Sequence, residues 1–130
     1  MHKIQVKTST REAMLDVTSQ LMDAVRLSGV QSGVVLVFTP HTTTGLTINE
    51  GADPDVCRDI LAHLRRMVPR DAGFLHAEGN SDAHIKASIF GSSVQIIIDN
   101  GQLQLGTWQR VFLGEFDGPR TRTLWITFLS

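Results

Sequence analysis

The sequence predicts an α+β domain that is mainly antiparallel β-sheet, sandwich-like, with about three helices. Short β-branched runs and alternating apolar runs occur near both ends of the chain, and an Asn-Gly pair separates two of them. Three stretches between these runs carry helix start and stop signals. With 130 residues, of which 42% are hydrophobic and 19% charged, we expect one globular domain over residues 1–130.

The charge balance argues against two classes of partner. The formal net charge is −1 and the basic residues are scattered, so we expect neither a nucleic acid nor a membrane as partner. The longest apolar run, GVVLVF, is too short to cross a bilayer. Cys57 is the only cysteine, and the N-terminus lacks the apolar stretch of a secretion signal. These features predict a cytoplasmic protein, in which Cys57 is inert because no basic residue precedes it.

The N-terminal third predicts a strand followed by a helix. Ile4 and Val6 share one face of a half-buried strand. Ser9 and Glu12 have the spacing of a capping box, and Gly29 suits the left-handed position at a helix C-terminus. The apolar stripe of this helix consists of Met14, Val17, Leu21 and Val25.

The segment from Val34 to Asn49 predicts two more strands. The continuous apolar run Val34–Phe38 is typical of a strand covered on both faces. If HTTTGLTINE stays extended, Leu46 and Ile48 point to one side. A polar row then lies on the other side and contains His41, Thr43, Thr47 and Asn49.

Two further helices follow. Asp53 suits an N-cap and Pro54 the first helical position, and Pro69 follows the end. The buried stripe of this helix is Val56, Ile60, Leu64 and Met67. The next helix is capped by Asn80 or Ser81 and ends at Gly91, with Ile85 and Ile89 one turn apart.

The C-terminal third predicts strands. Asn100-Gly101 is the strongest short hairpin signal, so we expect a tight antiparallel pair there. The segment DGPR predicts a turn, after which Leu124, Ile126 and Phe128 alternate with polar or aromatic residues.

Three of the five histidines are candidates for chemistry. His2 lies at a terminus and His63 on a helix surface, whereas His41, His76 and His84 lie among polar residues at element boundaries. Three imidazoles, or two with a carboxylate, can hold a divalent ion such as zinc or magnesium and leave one position open. We therefore predict a metal site at His41, His76 and His84, although no two of them have i,i+4 helical spacing.

The stretch HAEGNSDAH, residues 76–84, has two interpretations. As a helix entrance, it uses Asn80 as a cap and Asp82 to complement the dipole and pair with Lys86. This leaves His76, Glu78 and His84 without a structural role. A helix N-terminus beside Gly79 is also suited to an anion such as phosphate or carboxylate, so a functional site is the second interpretation, and the residues alone leave both open.

Three other residues have competing interpretations. Asp53 has a sufficient role as a cap, whereas Glu50 does not. Trp108 is expected in the core or an interface, although its ring could stack on a heterocycle. Arg120 is held in a turn and has the shape for two-point phosphate binding.

Four segments together resemble the YjbQ family, also called the secondary thiamine-phosphate synthase family: PHTTTGLTINEGADPDV, HAEGNSDAHIKAS, LGTWQ and FDGPR. The likeness runs in order over nearly the whole chain. It implies a small α+β domain, a homotrimer and a thiamine-phosphate synthase that joins hydroxymethylpyrimidine diphosphate to thiazole phosphate.

The resemblance also implies roles for particular residues. It adds Glu50, Glu78, His84 and Lys86 as catalytic candidates. The candidates for binding the phosphorylated substrate are Thr43, Asn49, Gly79, Asn80, Trp108, Gln109 and Arg120. The chain departs from the family pattern at Thr44, often alanine, and at Ala77, often polar or acidic, but neither change removes a candidate ligand.

Three hypotheses follow. The first is a metal-assisted synthase of thiamine phosphate, in which the cations and the helix N-terminus stabilise the departing pyrophosphate. The second is a metal-dependent hydrolase of a small phosphate or carboxylate ester, with Glu50 or Glu78 as general base. The third is a non-catalytic trimer that binds a small anionic metabolite, because no nucleophile–base pair is recognisable.

Overall fold

The computed structural model describes all 130 residues, as eight strands and three helices. The strands are β1 (His2–Lys7), β2 (Ala13–Asp16), β3 (Ser32–Phe38), β4 (Thr44–Glu50), β5 (Ser93–Asp99), β6 (Gln102–Leu103), β7 (Gln109–Glu115) and β8 (Thr121–Leu129). The helices are α1 (Thr18–Ser28), α2 (Pro54–Met67) and α3 (Ser81–Phe90). None of the three helices combines the length and apolar character that a membrane crossing requires.

The strands form two sheets in which every pairing is antiparallel. One sheet has the order β1-β8-β3-β5-β6, and the other β2-β7-β4. The main core contains residues of both sheets, such as Val37, Leu113 and Ile126, together with Leu21 and Val25 of α1. The predicted α+β class with mainly antiparallel sheet and three helices is confirmed.

The helices α2 and α3 build a second, smaller core beside the three-stranded sheet. It contains Leu64, Ala83, Ala87 and Phe116. The sheet lets α3 approach closely because two cross-strand partners, Gly45 and Gly114, are glycines. A methyl group on either one would collide with the side chain of Phe90.

The predicted start of the first helix is wrong. Residues Ala13–Asp16 pair with β7 as a strand, and α1 begins only at Thr18. The side chain of Glu12 does not cap a helix, because its two oxygens accept from Arg65 and Lys86. The C-terminal end at Gly29 is confirmed, with φ 72°.

The predicted bounds of the other helices hold. The carboxylate of Asp53 accepts the N–H of Asp55 at 2.9 Å, and Pro54 is the first residue of α2. The helix α3 has an unexpected orientation, since it buries Asp82 and Lys86 whereas Ile85 and Ile89 are 37% and 51% exposed.

Two strand predictions are only partly right. Val35 and Val37 are fully buried, but Leu36 and Phe38 on the opposite face are half-buried, so β3 is fully covered on one face only. The Asn100-Gly101 turn is confirmed, with positive φ at both residues. Its ladder ends at Leu103, because the chain then crosses to the other sheet as β7.

Candidate functional site

An open cleft of about 650 Å³ lies between the loop that follows β3 and the C-terminal half of α3. We call it the threonine cleft. Its walls carry five hydroxyl groups and two imidazoles, contributed by Thr39, Thr42, Thr44, Ser88, Ser92, His41 and His84. A surface so rich in hydrogen-bond donors is suited to a polar or anionic small molecule.

The loop from Thr39 to Thr43 is shaped by its own polar contacts. The hydroxyls of Thr39 and Thr44 lie 2.6 Å apart, and the N–H of Phe116 donates to the carbonyl oxygen of Thr43. The chain turns at residues 42–43 before β4 begins. The predicted extended polar row is therefore wrong, because the turn separates His41 and Thr43 from Thr47 and Asn49.

His41 is held against β8. The backbone N–H of Thr123 donates to Nε2 of His41 at 2.9 Å. Burial lowers the pKa of the His41 imidazole, and the positive charge of Arg122 adds to this shift. Both effects favour the neutral form of the ring.

A buried ion pair supports the same wall of the cleft. Arg122 is 4% exposed and Glu115 is fully buried. Nε and Nη2 of Arg122 bind the two carboxylate oxygens of Glu115, and Nη2 also donates to the hydroxyl of Thr43 at 2.8 Å. Burial by itself raises the pKa of Glu115, but the hydrogen bonds from Arg122 and Thr8 outweigh it and lower the pKa.

A second cleft adjoins the first. We call it the loop cleft; it is lined by Gly73–His76 and by Ser81, His84 and Ile85, with a volume of about 620 Å³. The rings of His76 and His84 meet edge to face, with centroids 5.4 Å apart. The carboxylate of Glu78 lies 3.8 Å from Nε2 of His76. His84 therefore belongs to both clefts.

The single chain does not gather three metal ligands. No group of three His, Cys, Asp or Glu side chains is close enough to hold one ion. His76 and His84 are neighbours, but Nε2 of His41 is occupied by the N–H of Thr123. The predicted three-histidine set does not fit a metal ion within one chain, and the divalent ion stays a prediction.

Lys86 is tied into a buried network. It is 1% exposed, and Nζ lies 2.9 Å from Asp82 and 3.0 Å from Glu12. Arg11 binds both carboxylate oxygens of Asp82 through hydrogen bonds of 3.1 and 3.0 Å and shares Oδ2 with Lys86. Burial raises the pKa of Asp82, but hydrogen bonds from Arg11 and Lys86 overcome this and lower it. The i,i+4 pairing of Asp82 with Lys86 was predicted, whereas no sequence signal placed Arg11 in this network, and Glu12 was predicted to cap a helix instead.

Asn80 and Arg120 meet at Asp117. The side-chain N–H of Asn80 donates to Asp117 at 2.9 Å, so Asn80 is the N-cap residue of α3 without capping through its side chain. Arg120 donates to the carbonyl and to the carboxylate of Asp117, which fixes the turn as predicted. The side chain of Arg120 is 55% exposed. Gly79 precedes this cluster with φ 75°.

The remaining candidates lie at the far end of β4. Asn49 and Glu50 pair with Arg110 and Gln109 of β7. The length of β4 places Asn49 about 17 Å and Glu50 about 20 Å from Thr44, at about 3.3 Å per residue. Trp108 is 62% exposed, so the expectation of a core position is wrong. The candidate residues thus form two separate groups on one chain, and Glu50 is remote from His84.

Comparison with known proteins gives one consistent result. The family model UPF0047 protein YjbQ-like matches residues 2–130. UPF0047 protein MJ1081 of Methanocaldococcus jannaschii is 46% identical over 130 residues, covering all of this chain and 94% of the relative. UPF0047 protein YugU of Bacillus subtilis is 45% identical over 98% of this chain and 97% of its own length.

Solved structures agree. A crystal structure of an uncharacterized YjbQ/UPF0047 protein from Clostridium acetobutylicum has a TM-score of 0.97 and 51% identity, covering 99% of this chain and 100% of that one. A YbjQ-like protein of unknown function from Sulfolobus solfataricus has a TM-score of 0.94 at 30% identity, over 99% and 95%. The chain therefore belongs to the UPF0047 family of YjbQ-like proteins.

Proposed function

We propose that this protein is a cytoplasmic enzyme that acts on a small phosphorylated substrate bound in the threonine cleft. The observation that carries the proposal is the lining of that cleft, where five hydroxyls and two imidazoles face one space. Arg120 and Arg122 lie close enough to His41 for their positive charges to lower its pKa, although each is paired with a carboxylate, Asp117 and Glu115 respectively. Hydrogen-bond donors facing one space are what a phosphate ester or diphosphate group requires.

The first candidate reaction is the synthesis of thiamine phosphate. The ring nitrogen of the thiazole phosphate attacks the methylene carbon of hydroxymethylpyrimidine diphosphate. A C–N bond forms, the C–O bond to the diphosphate breaks, and pyrophosphate departs with the bonding electrons. Hydrogen-bond donors of the cleft, with Arg120, would stabilise the charge that collects on the leaving group. The buried Lys86 is already bound to two carboxylates and would contribute by positioning α3.

The activity test uses purified protein and both precursors. Chromatography should detect thiamine phosphate, and an enzymatic assay should detect an equal amount of pyrophosphate. His84→Ala should abolish the product, because this ring lies on both clefts. Asp23→Asn on the exposed face of α1 is the matched control and should keep full activity. Product that survives His84→Ala would point to a contaminant.

A divalent ion remains part of the proposal, with a test of its own. His76 and His84 are two adjacent ligands, and Glu78 lies beside His76. Elemental analysis of wild-type protein and of His76→Ala decides the point. One zinc per chain that disappears in the variant supports the ion; metal-free protein that binds no zinc on titration contradicts it.

The homotrimer is proposed as the working assembly. The outward-facing Ile85 and Ile89, together with the fully exposed Leu75, leave apolar surface beside the loop cleft. The two groups of candidate residues on one chain would be brought together if a neighbour supplied the second group. Light scattering should give three times the chain mass of 14.3 kDa, and Ile89→Lys should lower it.

The alternative reaction is hydrolysis. It is favoured by the contact between Glu78 and His76, since a carboxylate beside an imidazole can act as a base on water. A panel of phosphate and carboxylate esters, with and without chelator, tests this candidate. If the protein turns nothing over yet is stabilised by a phosphate compound in thermal-shift screening, the third candidate, a non-catalytic binder, is favoured.

A further inference from the structure

We propose that His41 serves as a neutral hydrogen-bond donor, presenting Nδ1–H to an anionic oxygen in the threonine cleft, and is not a metal ligand. The anionic oxygen is that of a phosphate or diphosphate, so this assignment rests on the proposed function for the identity of the acceptor. The protonation state of the ring does not rest on it.

The position of Thr123 explains why the ring binds there. Phe38 is the last residue of β3 that pairs with β8, and its partner is Trp125. Thr123 comes two residues earlier on β8, beyond the end of β3. The imidazole of His41 takes the place of the missing strand and accepts the N–H of Thr123 at 2.9 Å. Thr123 is half-buried, and leaving its peptide N–H without this acceptor would be unfavourable, which holds the ring in place.

This hydrogen bond fixes the tautomer. A ring nitrogen that accepts a hydrogen bond carries no proton, and a neutral imidazole carries its single proton on the other nitrogen. Nε2 of His41 accepts, so Nδ1 bears the proton. A metal ion at Nδ1 would have to displace that proton, and one at Nε2 would have to displace the N–H of Thr123.

The charges around the ring keep it neutral. Burial disfavours a second proton on His41 and lowers the pKa of the ring, and the positive charges of Arg122 and Arg120 add to this effect. Glu115 acts in the opposite direction, but both its carboxylate oxygens are bound by Arg122. Protonation of Nε2 would also place two N–H groups against each other at Thr123.

Nδ1 is left free to bind a ligand. It makes no hydrogen bond within the chain, and it is not among the buried unpaired atoms. His41 lines the threonine cleft next to the hydroxyls of Thr39 and Thr44. An N–H donor of this kind recognises a phosphate oxygen without giving up its proton, because the neutral imidazole is a very weak acid.

Nuclear magnetic resonance of the full-length protein tests the tautomer. Long-range proton–nitrogen correlation at pH 7.5 distinguishes protonated from bare ring nitrogens. We expect His41 to show a bare Nε2 and a protonated Nδ1, while the exposed His63 serves as the reference histidine. The opposite tautomer, or a doubly protonated ring, would overturn the assignment.

Binding of inorganic pyrophosphate tests the donor role. His41→Gln keeps one acceptor and one donor and should bind pyrophosphate within about threefold of wild type, whereas His41→Phe should bind about tenfold more weakly or worse. His63→Phe is the matched control and should change nothing. Equal affinity in wild type and His41→Phe, or no binding to wild type, would overturn the donor role. If His41→Phe does not fold, the shift of the His41 Nδ1 signal on titrating wild type gives the same answer.

The two proposals fail separately. Absence of thiamine phosphate, with the expected tautomer and with pyrophosphate bound, removes the synthase reaction and leaves His41 as an anion donor. An active synthase in which His41 has the other tautomer removes the assignment of His41 and leaves the synthase reaction.

Discussion

Glu115 at the end of β7 and Arg122 at the start of β8 belong to different sheets and form a two-point ion pair that is almost completely excluded from solvent. The carboxylate also accepts from the hydroxyl of Thr8 and the backbone N–H of Asp117, so no oxygen of the pair is left unbonded. The pair therefore joins β7 to β8 at the point where the loop carrying His41 crosses between them.

Replacing one member of this pair should be strongly destabilising. In Glu115→Gln the guanidinium of Arg122 stays buried without a counter-charge, and such a loss costs about 3–5 kcal/mol. Urea unfolding measures the effect. Asp23→Asn removes the exposed pair with Arg26 and should cost less than about 1 kcal/mol. Equal losses in the two variants would mean that burial of the pair is unimportant.

Gly114→Ala should destabilise by about 1–3 kcal/mol, because the added methyl collides with the rings of Phe90 and Phe116. Both neighbours are side chains, so space can be recovered. Combining Gly114→Ala with Phe90→Leu should return part of the loss, as a coupling of about 1 kcal/mol in a double-mutant cycle. If the losses of unfolding free energy in the two single variants simply added in the double variant, the added methyl would not be crowded by Phe90.

Lys86 and His84 should separate structural from chemical roles. Lys86→Met removes the cation between two carboxylates and should cost about 3 kcal/mol of unfolding free energy. His84→Ala, at a half-buried ring, should change stability by no more than about 1 kcal/mol while abolishing turnover. Chemical denaturation and the product assay should be run on the same preparations. A stable but inactive Lys86→Met would restore Lys86 as a catalytic candidate.

Stability should fall as the pH is lowered. Hydrogen bonds and ion pairs lower the pKa of Glu115, Asp82 and Asp117 in the folded chain. The unfolded chain therefore binds more protons below the ordinary carboxyl pKa of about 4, and the stabilisation present above it is lost as pH drops towards the folded values.

The lowered pKa of His41 acts in the same direction at a higher pH: the stabilisation it contributes is lost as the pH falls below about 6.5. Melting temperatures from pH 8 to 3 should therefore decline in two stages. His41→Gln should remove the first stage and leave the second. A profile with higher stability at pH 5 than at pH 7 would contradict this account.

The hairpin turn should depend on glycine at one position only. Gly101→Val forces a side chain into a left-handed conformation with φ 70°, close to the carboxamide of Gln31, at a cost of about 1–2 kcal/mol. Asn100→Gly keeps the turn and should shift stability by less than about 0.5 kcal/mol. Thermal unfolding compares the two. A larger loss in Asn100→Gly would assign the turn to the asparagine side chain.

Local signals predicted most of the fold. Asp53 with Pro54 fixed the start of α2, and Asn100-Gly101 located the hairpin, because these signals act within a few residues. The start of α1 was missed because Ser9 and Glu12 satisfy the same spacing rule as a true cap. The structure there depends on contacts with distant residues: β2 pairs with β7, and the carboxylate of Glu12 accepts hydrogen bonds from Lys86 and Arg65.

The candidate site was predicted only in part for the same reason. Asp82 and Lys86 were paired correctly because they are one turn apart on a helix. His41 and Thr123 are 82 residues apart, and no periodicity in the sequence reports their contact. The core position expected for Trp108 was wrong: a large aromatic residue is usually buried, whereas here the turn from Gly106 to Gln109 holds it outward, and the alternative of an interface stays a prediction.

The shared wall between the two clefts has a consequence for ligands. The imidazole of His84 has two nitrogens and lines both the threonine cleft and the loop cleft, so a ligand in either cleft can contact it. A ligand that forms a hydrogen bond with His84 in one cleft would compete with the edge-to-face packing of this ring on His76. Because both clefts share His84, we expect a ligand bound in the threonine cleft to change the affinity of the loop cleft for a second ligand.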